Sequence, residues 1–221
     1  MRKDVLSLVV AALALCVAGQ AWATPSICDA DSGNLVQNCG FEDGTYTSGS
    51  DTSIPVDWTA LGDWDTGYNG VRTDVEFVGP NSGNDFLTLS NFSSQSPMGG
   101  VSQTLSDAAG ATYQVSFYFT QNDTNSATNE AFEVLWNGVV EFDQTGGTGS
   151  DTYEEYSFDV IGTGSDVLEL EGFSNDGYNY IDDVEVNLVS PAPVPEPVSL
   201  AIFATGLIGA GAARRRQRRA R

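Results

Sequence analysis

Tyr113-Gln114-Val115-Ser116-Phe117-Tyr118-Phe119 is the stretch from which the fold class follows. Tyr113, Val115, Phe117 and Phe119 alternate with Gln114, Ser116 and Tyr118, a period of two that suits a half-buried strand and not a helix. The alternation returns at Phe132, Val134 and Trp136, and Asn137-Gly138 then supplies a two-residue hairpin turn into residues 139–142. Tyr156, Phe158 and Val160 make another inward row, as do residues 167–170 and Val184, Val186 and Leu188. Weaker strand signals lie at 35–37, 75–78, 86–89 and 101–105. Gly, Asn, Asp and Ser fill the gaps, and 144–151 reads as a long polar loop. About nine or ten short strands with turn signals between them and almost no helical pattern predict an all-β protein, a jelly-roll β-sandwich.

Outward from that body, both ends change character. Residues 1–23 read as a signal peptide. Arg2 and Lys3 form its positive start, 5–17 are nearly all apolar, and Ala21-Trp22-Ala23 is a small-residue cleavage site that makes Thr24 the first mature residue. Cys16 falls inside this segment, and Leu15 stands where a lipoprotein signal wants a small residue. At the other end, Ser190-Pro191-Ala192-Pro193-Val194 is a Pro-rich spacer, which leaves 24–189 as the folded domain. Residues 198–213 carry no charge and nothing more polar than Ser199 and Thr205. As a helix they would span roughly 24 Å, a little short of a ~30 Å hydrocarbon core, a deficit that snorkelling arginines and local thinning cover. Six arginines in 214–221 hold that end in the cytoplasm and put everything before Pro195 outside it. The alternative, a core helix with a basic end, fits less well a run that is apolar all round.

The chain has nine Lys+Arg against thirty Asp+Glu, a formal charge of −21. Arg72 is the single basic residue between 24 and 194, where twenty-eight of the acidic residues lie, so this part alone carries −27. Nucleic acid and anionic lipid are poor partners for such a surface. The charge keeps the protein soluble and repels itself, so either divalent cations and salt relieve it or it is simply a solvated face. Cys28 and Cys39, an even pair in an exported chain, argue for one disulfide, worth roughly 3 kcal/mol in the chain-entropy model. With no histidine, no lysine beyond Lys3 and no thiol left over, Ser-His-Asp, Cys-His and lysine nucleophiles and histidine metal sites are excluded. A carboxylate pair for glycoside hydrolysis cannot be singled out among so many acids. The expectation is a protein that is not an enzyme.

The tail resembles the PEP-CTERM sorting signal of Gram-negative bacteria. Pro195-Glu196-Pro197, a short span containing Gly206, Gly209 and Gly211, and the terminal arginine cluster are that signal's three parts in order. The resemblance implies an exosortase as transient partner at the inner membrane, removal of the tail near Pro195–Pro197, and delivery to the cell surface or beyond. A hydrophobic tail then serves as an address and not as a lasting anchor.

Two further stretches resemble galactose-binding-like jelly rolls and related carbohydrate-binding modules. Asn34-Leu35-Val36-Gln37-Asn38-Cys39-Gly40-Phe41-Glu42 is similar to their opening strand, and Tyr180-Ile181-Asp182-Asp183-Val184-Glu185-Val186 to their closing strand. Cys39 stands where Gly or Ser is commoner. The resemblance implies that the two strands lie close together beside a structural calcium, with Glu42 and Asp182 as ligands. Asp182 shares strand parity with Val184, Val186 and Leu188 and so should point inward, where a carboxylate needs a partner. Calcium supplies one; an Asp accepting backbone N–H groups at a strand end is the alternative. Trp64 and Tyr68, flanked by Asp63, Asp65 and Asn69, are the best aromatic pair for a sugar, set against aromatics that merely close one end of the sandwich. The reading is an exported acidic β-sandwich with a structural or adhesive role at the cell surface or in the extracellular polysaccharide matrix. A carbohydrate-binding, lectin-like module at the same place is the alternative.

Overall fold

The computed structural model describes residues 25–46, 53–62, 64, 69–73, 78–90, 98–122, 130–175 and 177–193. The signal segment 1–23, Tyr68, residues 75–77 of an expected strand, Pro195-Glu196-Pro197, the apolar run 198–213 and the arginine block lie outside the described residues. Among the described residues no helix is long and apolar enough to cross a membrane.

Among the described residues ten strands form: β1 (Thr59–Leu61), β2 (Gly70–Arg72), β3 (Phe86–Leu89), β4 (Gly99–Leu105), β5 (Thr112–Gln121), β6 (Glu130–Trp136), β7 (Val139–Thr145), β8 (Glu154–Ile161), β9 (Asp166–Ser174) and β10 (Asn179–Ser190). They pair antiparallel into two five-stranded sheets, the first ordered β1-β4-β9-β6-β7 and the second β2-β3-β10-β5-β8. From β4 onward the chain crosses repeatedly between the sheets, and the result is the expected jelly-roll β-sandwich.

The alternation read from Tyr113–Phe119 is the reason for the core. Tyr113, Val115, Phe117 and Phe119 are buried and face Phe132, Val134 and Trp136 of the opposite sheet. Phe119 stacks on Phe132 with ring centroids 4.5 Å apart, and Phe117 meets the same ring edge-on at 5.8 Å. Full burial of each such ring contributes about 1.5–3 kcal/mol. Asn137 and Gly138 both take positive φ, 53° and 73°, as a two-residue turn matched to strand twist requires. Asn137 is held further by donating Nδ2–H to Asp166 Oδ1 at 2.7 Å and accepting the Val167 N–H at 2.9 Å.

Three local readings change. Residues 35–37 are an extended strap and not a strand; the Leu35 N–H reaches Val186 O, but Gln37 is tied by the Gln103 side chain. Gln144 and Thr145 extend β7 into the expected loop, since Ala131 and Phe132 are there to pair with them. The three-residue β1 and β2 are too short for periodicity to reveal.

Candidate functional site

Cys28, inside the 3-10 turn Ile27–Ala30, is joined to Cys39 with Cα atoms 6.1 Å apart. The bridge sets the N-terminal segment beside β10, where Val184 N–H donates to Cys39 O. Glu42, three residues past the bridge, therefore lies near the same end of the sandwich as Asp182.

What joins those two carboxylates is the turn-rich segment Pro80-Asn81-Ser82-Gly83-Asn84-Asp85. Asn81 and Ser82 donate their N–H groups to Asp182 Oδ2 at 2.8 and 3.1 Å. Asn84 and Asp85 donate theirs to Glu42 Oε1 at 2.7 and 2.9 Å. Gly83 between them has φ +65°, and a Cβ there would run into Glu42 Oε1, so only glycine fits. Asp183 completes the cluster, accepting Asn81 Nδ2–H, Ser82 Oγ–H and Ser26 Oγ–H.

Asp182 is fully buried, but on the face of the sheet opposite the one that parity with Val184 and Val186 predicts. Ile181, Val184 and Val186 point into the main core, the first two being three positions apart where strict alternation needs an even number. A bulge between Asp182 and Glu185, with Asp183 at φ 50°, resets the alternation there. Asp182 consequently shares its face with Tyr180, which packs with Val78 and Phe86 in a second, smaller cluster on the outside of the second sheet.

Burial, and next the Asp183 charge, pushes the Asp182 carboxyl up to about 8, against the three backbone N–H groups that favour its ionised form. Asp85 is raised to about 6, first by burial and then by Glu42. Its Oδ1 is buried and accepts no hydrogen bond. The only tight group of three metal-type side chains among the described residues is Cys28, Asp29 and Cys39, and both of its sulfurs are committed to the disulfide. Arg72 stacks over Tyr178 at 5.2 Å and donates to Thr88 Oγ1.

Trp64 is 7 % exposed and belongs to the main core. Its ring is packing and not an open stacking face, which corrects its selection as a sugar platform; Tyr68 lies outside the described residues. Among the described residues two concavities lie elsewhere. A polar cleft of about 600 Å³ lies between the 34–37 strap, Asp57–Thr59 and β4. A pocket of about 130 Å³ opens where β5 ends and β8 begins, beside Phe119, Glu154 and Tyr156.

The PEP-CTERM protein-sorting motif matches residues 193–217. The chain carries that sorting signal. The motif marks an exported protein that an exosortase sorts to the cell surface. No curated protein matches the chain. Among solved structures, a cyclase from Fischerella sp. TAU in complex with 4-(1H-indol-3-yl)butan-2-one is similar over 79 % of this chain and 100 % of its own, with TM-score 0.53 and 14 % identity. TmCBM61, in complex with β-1,4-galactotriose, is similar over 70 % of this chain and 98 % of its own, with TM-score 0.48 and 18 % identity. The K2 cleaved adhesin domain of Lys-gingipain is similar over 67 % and 96 %, with TM-score 0.47 and 18 % identity. At these identities the likeness is one of fold.

Proposed function

We propose that this protein is a non-enzymatic structural or adhesive component of the cell surface or extracellular polysaccharide matrix of a Gram-negative bacterium. The sorting motif at 193–217 carries the reading: it follows directly on a folded sandwich, so the sandwich is the delivered cargo. The domain's acidity and the absence of histidine throughout the chain fit a binding or scaffolding role better than catalysis. The test is fractionation of the native host with and without its exosortase. The protein should move from the surface and matrix fraction to the inner membrane when the exosortase is deleted. An unchanged distribution would refute delivery by this route.

A structural calcium ion is part of this proposal. The residues fit a hard cation: Glu42, Asp85, Asp182 and Asp183 offer only oxygens, and Asp85 Oδ1 is a buried acceptor without a donor. Glu42 and Asp85 would hold the ion at one end of the 81–85 segment, while Asp182 holds the other end. Chelation should lower the melting temperature, and calcium but not magnesium should restore it; equal recovery with any salt would leave only charge screening.

A further inference from the structure

β8 is the edge of the second sheet and β7 the edge of the first, so the space between the sheets opens along this side. Glu154 lies opposite Phe119 and Tyr156 opposite Phe117, which puts both side chains on the face turned towards the core. Tyr156 stacks on Phe117 at 5.8 Å and meets Phe142 of β7 at 4.8 Å. The connection from β7 to β8 folds back over the end of β5. Ser150 N–H and Thr148 Oγ–H both donate to Gln121 O, at 3.1 and 2.8 Å, and Thr120 Oγ–H donates to Ser150 O at 2.8 Å. The pocket left between them is about 130 Å³, floored by Phe119 and Tyr156 and rimmed by Thr148, Ser150, Thr152 and Glu154.

That volume is close to the roughly 150 Å³ in which an engineered apolar cavity takes up one benzene ring. The rim here is polar, and the hydroxyl protons of Thr120, Thr148, Ser150 and Tyr156 are already spent. Thr148, Thr120 and Ser150 donate to backbone carbonyls, and Tyr156 O–H donates to Glu154 Oε2 at 3.1 Å. What faces the pocket is therefore hydroxyl lone pairs and the remaining oxygen of Glu154. A matching ligand is the size of one six-membered ring, rich in donors, with an apolar face to lie on an aromatic one. A formal −27 over residues 24–194, with Glu154 in the lining, disfavours an anionic one.

We propose that this pocket holds one pyranose residue of a neutral or amino-sugar polysaccharide, and not of a uronate. The proposal rests on the matrix role above and gives it a contact point. Tyr156 is the platform, Glu154 and the hydroxyls of Thr148 and Thr152 accept from the sugar's hydroxyls or ammonium, and the chain of the polysaccharide continues into solvent past the β8 edge.

The test uses the mature protein purified from its host on an array of neutral hexose and pentose oligosaccharides, chitosan oligosaccharides and oligouronates. The wild type should bind within the neutral or chitosan set and not the uronates. Glu154→Ala and Thr148→Val should each weaken that binding tenfold or more. Tyr156→Ala should abolish it, but this ring also packs on Phe117 and Phe142; the exposed Glu154 and Thr148 therefore carry the decision, with unchanged melting curves as the control. Binding that survives both of those changes, binding confined to uronates, or no binding at all would overturn the assignment. Matrix fractionation of the same variants separates the two claims: retention without array binding sinks the pocket and keeps the matrix role, and loss of both in the wild type sinks both.

Discussion

On β6, Glu133 lies directly opposite Asp143 of β7 on one side and Glu171 of β9 on the other, a row of three carboxylates across the outer face of the first sheet. Around the 81–85 segment the carboxylates of Glu42, Asp182 and Asp183 are as crowded, yet each accepts N–H or O–H donors from it. The first group is left to water and counterions. The second is built into the fold, with buried acids supplying the acceptors that an irregular segment needs for its backbone. An acidic composition thus conceals two kinds of acid, surface charges that cost a little stability and buried ones on which a loop depends.

The sharpest way to break that contrast is to truncate one acid in each group. Asp182→Ala strands the N–H groups of Asn81, Ser82 and Asp183 in a buried site, and should cost about 3 kcal/mol in urea unfolding. Relief of the buried carboxyl's desolvation, and next of its repulsion with Asp183, offsets part of this, but three stranded donors outweigh that relief. Glu133→Ala should change stability by no more than about 0.5 kcal/mol. Equal losses at the two positions would erase the distinction.

Calcium sharpens it next. At a hundred times its dissociation constant, the proposed ion at the Glu42 end would add about 2.7 kcal/mol and raise the melting temperature by several degrees. Glu42→Gln and Asp85→Asn should each remove that increment, while Glu133→Gln should leave it whole. An increment that persists in both loop variants would place the ion elsewhere.

Most of the sandwich was legible in the sequence because a strand with one buried face must alternate, and β5, β8 and β9 do so over seven or more residues. β1 and β2 escaped because three residues cannot show a period. At Asp182 the alternation itself misled, since one bulge after Tyr180-Ile181 shifts every later side chain by a face and leaves no mark in the residue types. The pairing of Cys28 with Cys39 needed only an even count in an exported chain. The partners of Glu42 could not be read, because Asn81–Asp85 looks like any turn until the chain brings it beside residues forty and a hundred positions away. Trp64 looked like a sugar platform because its neighbours in sequence are polar, but its ring is packed into the main core.

The smallest effects belong to the outer face of the first sheet. Glu133 and Glu171 are both raised, first by partial burial and then by like-charged neighbours, Asp143 for the one and Glu169 and Glu133 for the other. A raised carboxyl holds its proton more tightly in the folded state than in the unfolded one. Its stabilising contribution is therefore present at low pH and is lost as pH rises through the carboxylate range. Glu133→Gln should flatten that fall and stabilise by a few tenths of a kcal/mol at neutral pH in low salt. The gain should vanish near 1 M salt. A destabilisation by Glu133→Gln would show that the row is cross-linked by cations and not merely tolerated.

The central claim is that the sandwich is cargo and residues 193–217 are its address. Intact-mass analysis of the protein released to the surface and medium of its native host tests this most directly. The account predicts a chain that begins at Thr24, retains the Cys28–Cys39 bridge, and ends near Pro195–Pro197 without any of the arginines. Surface or released material that still carries Arg221 would contradict it.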